Sequence, residues 1–218
     1  MLREIRRSLI EMLKALSISD SSHDLYHLLR VEKTALELQR EQGEGDVMVI
    51  SIASLLHDLI SFPKNDHRRS LSSLYSADRA AEILRQHKMA DDKIAAIHHC
   101  IHAHSFSASI APESIEAKIV QDADRMEALG AIGIARCFYT SGLLKRELFH
   151  PVDPMAQDRN LDDLQYALDH FSVKLLKLPA MMQTKAGSVM AKKRAEFLQL
   201  YSTTLVSEIF LDPAVDDF

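Results

Sequence analysis

The chain has 218 residues, 47% of them hydrophobic, with only six Gly and six Pro, and a formal net charge of −5. Such a chain can bury one sizeable core, and its acidity argues against a dedicated nucleic-acid binder, which is usually basic. No run of about eighteen uninterrupted apolar residues occurs, and two cysteines, Cys100 and Cys137, make too sparse a disulfide framework for this length, so buried free thiols and a reducing, cytoplasmic location are expected.

Apolar residues recur with a period near 3.6 almost throughout, and no segment alternates as a strand does. Leu2, Ile5, Leu9, Met12, Leu13 and Leu16 fall at helical spacing. Glu4 and Glu11 interrupt the basic residues Arg3, Arg6 and Arg7, so the start is read as an amphipathic helix rather than a targeting peptide. Asp20 and the serines after it predict a turn, and a second helix over about 24–41 ends at Gly43 and Gly45. A third covers about 46–59 and stops near Pro63, which disfavours helix at Phe62.

Ser70 is the expected cap of a fourth helix through about Gln86, and Asp91 or Asp92 of a fifth through about Ala103. A sixth runs from Ser114 towards Leu129. Gly130 and Gly133 follow inside an apolar helical pattern. Glycine there costs about 1 kcal/mol relative to alanine, so close helix packing is the expected reason for it. Gly142 to Asn160, with Pro151 and Pro154, reads as a loop. Two helices over about 161–178 and 185–210 close the chain, the last of them open to interruption, and 211–218 reads as a frayed tail. The expectation is an all-α fold of about eight to ten helices in a single domain spanning 1–210.

The chemistry is concentrated in a few residues. The run from Ile50 to Leu59 places His57 and Asp58, both ionisable, at the end of an apolar helix where burial is expected. Buried polar groups need partners, and a metal ion supplies one for both. With His27 upstream and Asp124 downstream, two imidazoles and two carboxylates on three helical segments form a donor set for a divalent metal. The plainer alternative for the pair in isolation is a capping Asp beside a surface His. His23, His27 and Arg30 share one helix face at spacings of four and three.

In order and spacing, His27 with Arg30-Val31 after it, then His57-Asp58, then Asp122 and Asp124-Arg125-Met126, resembles the HD-domain superfamily of metal-dependent phosphohydrolases. The string from Lys118 to Gly133 and the segment from Ala103 to Ser107 resemble a bacterial subgroup of small stand-alone members. That similarity continues through Tyr166 to Phe171 and on to Leu178. The resemblance covers chiefly Ser22 to Ala135 and implies a metal-binding core there, with C-terminal helices over 161–210.

The resemblance makes His27, His57, Asp58 and Asp124 the metal ligands, with Asp122 as competitor for the last place. Asp122, two residues earlier on a helix, would point about 200° away and is expected to cap, to orient another group or to serve substrate. The family's fourth ligand directly precedes an Arg-aliphatic step, and Met126 here replaces the usual Leu. Four such donors suit Mn²⁺, Mg²⁺, Co²⁺, Ni²⁺, Fe²⁺ or Zn²⁺, manganese being favoured. Asp58 is expected to orient the attacking water as well as bind metal. Lys64, Arg68 and Arg69, following the His-Asp pair, are expected to meet phosphate oxygens.

Four histidines crowd the segment His98, His99, His102 and His104. His104 is assigned a catalytic role, and His99 and His23 substrate-side ones. His98 and His102 are left between surface residues and a second metal, which stays open. No Gly-x-Ser-x-Gly and no phosphate-cradling glycine loop occurs.

The resulting expectation is a cytoplasmic phosphohydrolase acting on a small phosphorylated molecule. The subgroup resemblance implies a nucleoside triphosphate cut at the α-β linkage to monophosphate and pyrophosphate. Phosphomonoesterase or phosphodiesterase chemistry and a non-catalytic nucleotide sensor are the alternatives. Neither a nucleic-acid polymer nor a membrane is expected as partner, and a homodimer stays open.

Overall fold

The computed structural model describes residues 2–16, 24–62, 66–105 and 108–210. Among them are nine α-helices and no strand, apart from an isolated bridge between Glu147 and Tyr166. The all-α expectation therefore holds. No helix among these residues is long and apolar enough to cross a membrane. The chain divides into two compact units, Met1–Glu127 with Met182–Ser188, and Ala128–Met181 with Val189–Phe218.

The first unit contains α1 (Leu2–Ala15), α2 (Leu25–Gln42), α3 (Val47–Leu56), α4 (Ser72–Gln86), α5 (Asp91–His104) and α6 (Ile115–Met126). α3 is its axis, touching the other five helices. Every residue from Val49 to Leu56 is buried, which accounts for a helix that is apolar around almost its whole circumference. α1 contributes the stripe Ile5, Leu9 and Leu13. Arg6 grips the buried Glu32 through two bonds of 2.7 Å, and the Ser51 hydroxyl donates to the same carboxylate at 2.6 Å, locking α1, α2 and α3 together.

Capping sets the helix starts. Asp24 accepts from the backbone N–H of His27, Asp46 from those of Met48 and Val49, and Ser114 from that of Ala117, each satisfying a donor that a helix start leaves unpaired. Gly43 ends α2 in the left-handed region at φ +80°, where a side chain is unfavourable.

Several expected boundaries shift. α3 ends at Leu56 rather than near Leu59, because His57 turns its ring back onto the Ser54 carbonyl. Ser70 does not cap α4 but lies in a 3-10 turn, Arg69–Leu71, before it. α5 begins at Asp91 with Asp91 and Asp92 inside its first turn, and Ala90 holds the cap position. α6 stops at Met126.

In the second unit α7 (Gly130–Leu143) starts with Gly130 at φ +66°. That glycine therefore marks a new helix start rather than a helix interior. At Gly133 the close approach is to the turn before the same helix rather than to another helix, since a Cβ there would clash with the Ala128 backbone. The helix expected over 161–178 is largely absent. Asp162 accepts from the backbone of Leu164 and Gln165 in a turn, and only α8 (Asp169–Val173) and a 3-10 stretch, Leu175–Met181, are helical.

α9 (Lys185–Ile209) is continuous; its first residues belong to the first unit and the rest to the second. Rings of Phe138, Phe171 and Tyr201 meet at 6.0 to 6.1 Å in the second unit's core. Both cysteines are buried and neither forms a disulfide, as expected. The tail 211–218 lies outside the described residues.

Candidate metal centre

Four helix ends converge in the first unit. His27 hangs from the first turn of α2, His57 and Asp58 follow the last turn of α3, His104 is the final residue of α5, and Asp124 lies in the last turn of α6. The Nε2 atoms of His27 and His57 are 3.3 Å apart. Asp58 Oδ2 lies 3.7 and 3.6 Å from them, and Asp124 Oδ1 3.6 and 3.7 Å. Ligands side by side around an ion with bonds of about 2.1 Å stand roughly 3.0–3.4 Å apart. The cluster matches that spacing after a contraction of a few tenths of an ångström.

The hydrogen bonds behind the rings show why a cation fits. His57 Nδ1 donates to the Ser54 carbonyl at 2.8 Å, His104 Nδ1 to the Ile101 carbonyl at 2.6 Å, and His27 Nδ1 faces Glu127 Oε2 at 3.1 Å. A carbonyl or a carboxylate can only accept, so each neutral ring carries its proton on Nδ1 and turns the Nε2 lone pair inward. Two such lone pairs 3.3 Å apart repel unless a proton or a metal ion stands between them. Such outward bonds are the usual way a protein fixes the tautomer of a ligating histidine.

The electrostatics agree. Burial alone would push the His57 pKa down, but the charges of Asp58 and Asp124 raise it from 6.5 to about 9. Burial would raise the Asp124 carboxyl, yet the surrounding histidines, His57 foremost, hold it well below the usual carboxylate range. Glu127, likewise opposed by burial, is lowered to about 2 by His27 and Arg30. Two inward carboxylates on buried imidazoles thus concentrate negative charge where a cation would enter.

The remaining expected site residues separate. His104 Nε2 lies 3.5 Å from Asp58 Oδ1, the oxygen not turned to His27 and His57, and its ring meets that of His57 edge-on at 4.8 Å. His57, Asp58 and His104 form a further grouping of donor atoms within 4.8 Å, sharing two residues with the first. Asp122, expected to cap, to orient another group or to serve substrate, takes the capping role. It is fully buried, and its carboxylate accepts from Gln183 N, Thr184 N and Thr184 Oγ1, each at 2.8 Å. With both oxygens so engaged it fastens the start of α9.

His99 accepts from the backbone of Glu113 at 3.0 Å. His98 pairs with Asp78 at 2.9 Å and lies near the His102 ring. Arg68 forks onto Asp66 and covers the Phe62 ring, while Arg69 donates to the Phe62 carbonyl. Both are held by the turn after Asp58 rather than by the donor atoms. His23 and Lys64 lie outside the described residues.

Glu127 was not legible as a site residue. It sits three positions after Asp124, as Arg30 sits three after His27, and this matched spacing on two helices was the available signal.

A fold and donor cluster of this kind define a class, and comparison with known proteins agrees. Residues 24–129 match the family model of the HD domain. The chain is 33% identical over 214 residues, 92% of its length and 90% of the other's, to the uncharacterized protein YpgQ of Bacillus subtilis. A crystal structure of a HD-superfamily hydrolase from Bacillus thuringiensis is 32% identical, with a TM-score of 0.73, covering 95% of this chain and 98% of that one. That of Bacillus subtilis YpgQ in complex with ADP is 29% identical, with a TM-score of 0.70, covering 97% and 95%. The chain belongs to the HD-domain superfamily and is a divalent-metal-dependent phosphohydrolase of that superfamily.

Proposed function

We propose that His27, His57, Asp58 and Asp124 hold one divalent ion, with Mn²⁺ favoured, and that the substrate is a nucleoside triphosphate hydrolysed at the α-β linkage to monophosphate and pyrophosphate. The observation that carries the metal site is the pair of inward Nε2 atoms at 3.3 Å, flanked by two carboxylate oxygens. Support for a nucleotide comes from the relative YpgQ, crystallised with ADP.

A bound ion supplies charge to draw electrons from the phosphoryl group and to acidify water. The chain's own residues have separate tasks. Asp58 turns Oδ2 to His27 and His57 and Oδ1 to His104, so it would hold an ion with the first and orient a water with the second. His104, its Nδ1 bonded to Ile101, would take a proton from that water on Nε2 and give it to the leaving pyrophosphate. Arg68 and Arg69 on the following turn, with Lys64 and His23, are assigned to the phosphate chain, and His99 to the substrate side of α5.

The test is product analysis. Chelator-treated protein is reloaded with Mn²⁺, Mg²⁺, Co²⁺, Ni²⁺ or Zn²⁺ and given a panel of nucleotides, with pyrophosphate and orthophosphate read separately. Pyrophosphate with monophosphate is the expected result. Orthophosphate alone would replace this reading with a phosphomonoesterase.

A further inference from the structure

We infer that Glu127 is a positioning residue for the metal centre, holding His27 in its ligating tautomer while Arg30 holds Glu127. The inference rests on the assignment of His27 as a metal ligand. Glu127 caps the end of α6, and its backbone N–H donates to the Asp124 carbonyl at 3.0 Å. The side chain is thereby set one helical turn beyond Asp124. Its carboxylate is buried, with 5% of the side chain exposed, which is unfavourable unless charge and hydrogen bonds compensate.

α2 supplies two partners that compensate. Oε2 takes the His27 Nδ1 proton at 3.1 Å, and the Arg30 guanidinium meets the carboxylate with Nη2 at 2.8 Å and Nε at 3.0 and 3.2 Å. His27 and Arg30, at i and i+3, face one carboxylate, while His27 also reaches Asp124 at 3.6 Å. Two layers are therefore in register. His27 Nε2 and Asp124 form the inner one; His27 Nδ1, Glu127 and Arg30 form the outer one.

The consequences follow from what each group can do. A carboxylate cannot donate, so the ring beside it carries its proton on Nδ1 and turns the Nε2 lone pair towards the donor cluster. A carboxylate is also a stronger acceptor than the backbone carbonyls behind His57 and His104, so it makes His27 the more electron-rich imidazole. Arg30 fixes the direction of the carboxylate by its forked contact. Without that clamp the side chain could rotate away from His27.

The experiment is Mn²⁺ binding to the metal-stripped full chain, followed by the electron paramagnetic resonance signal of the free ion, in the parent, His27→Ala, Glu127→Gln and Glu127→Asp. Long-range ¹H–¹⁵N spectra of histidine-labelled protein report the tautomers. The expected result for Glu127→Gln is Mn²⁺ affinity lowered 10- to 100-fold, with the His27 ring no longer held as Nδ1–H. Glu127→Asp keeps the charge but shortens the reach and is expected to lower affinity by a smaller factor. It also serves should the glutamine variant fail to fold.

Folded Glu127 variants binding Mn²⁺ within twofold of the parent, while His27→Ala loses it, would overturn the inference and leave the ligand assignment standing. Unchanged binding in His27→Ala would overturn the assignment itself. A purely structural Glu127 would lower the melting temperature and leave the His27 tautomer signal in place, and that too would overturn it.

Discussion

Two carboxylates press on the His57 ring, and this makes the centre sensitive to pH. The pKa of His57 in the folded, metal-free protein is about 9, above the ordinary 6.5. A raised folded pKa stabilises fully below the unfolded value, and the contribution fades as pH rises through the folded one. Metal-free protein is therefore expected to lose melting temperature between about pH 6.5 and 9, and ion-loaded protein to lose less; thermal scans across that window check it. The same proton must leave before an ion binds. Apparent Mn²⁺ affinity should rise about tenfold per pH unit below pH 9 and then level off; a pH-independent affinity would contradict this. The grouped donors were legible in the sequence because each belongs to a short motif: His27 with Arg30-Val31, His57-Asp58, or Asp124-Arg125-Met126. Glu127 was not, since it is joined to His27 across 100 positions and only its three-residue spacing from Asp124 marks it. Asp122 reads as a residue that caps or orients another group, but its partners, Gln183 and Thr184, are not legible because they lie about sixty residues on.

Most helices of the first unit followed from apolar period and capping residues, which act within one or two turns. Of the boundaries that moved, the end of α3 has a side chain in place of a backbone partner, His57 at the Ser54 carbonyl, whereas the starts of α4 and α5 carry no side-chain cap. Residues 161–168 have helical composition but are not helical, because tertiary bonds outweigh local propensity. The buried Asp169 accepts from Arg159 at 2.6 and 2.7 Å and from the backbone of Asp162 at 2.7 Å. Removing Arg159 would leave that buried carboxylate without its cation, so Arg159→Met is expected to destabilise the fold by roughly 3–5 kcal/mol, read as a lower urea midpoint. At the start of α9 a Cβ on Gly187 would stand 2.3 Å from Asp122 Oδ2. Gly187→Ala should cost about 1–3 kcal/mol by overpacking, and an unchanged urea midpoint would show that the Asp122 anchor yields without cost.

At the scale of the whole molecule, an acidic chain carries a class of chemistry that needs positive charge, and a bound divalent ion supplies it locally. An ion that binds only the folded chain adds stability by mass action, about 2.7 kcal/mol at a hundredfold excess over its dissociation constant. Chelation is accordingly expected to lower the melting temperature by several degrees, and return of Mn²⁺ to restore it. Composition and periodicity were sufficient for the all-α class, and the spacing of three motifs for the family. The substrate was not legible, because no local pattern in the sequence encodes it. The measurement that tests the central claim most directly is the paired determination of bound metal and nucleotide hydrolysis in the parent and in folded His57→Ala and Asp58→Ala variants. The account predicts close to one ion per chain in the parent, and in both variants weakened binding with hydrolysis reduced at least a thousandfold, on the order of 4 kcal/mol in transition-state stabilisation. Either variant keeping the parent's metal content and rate would contradict it.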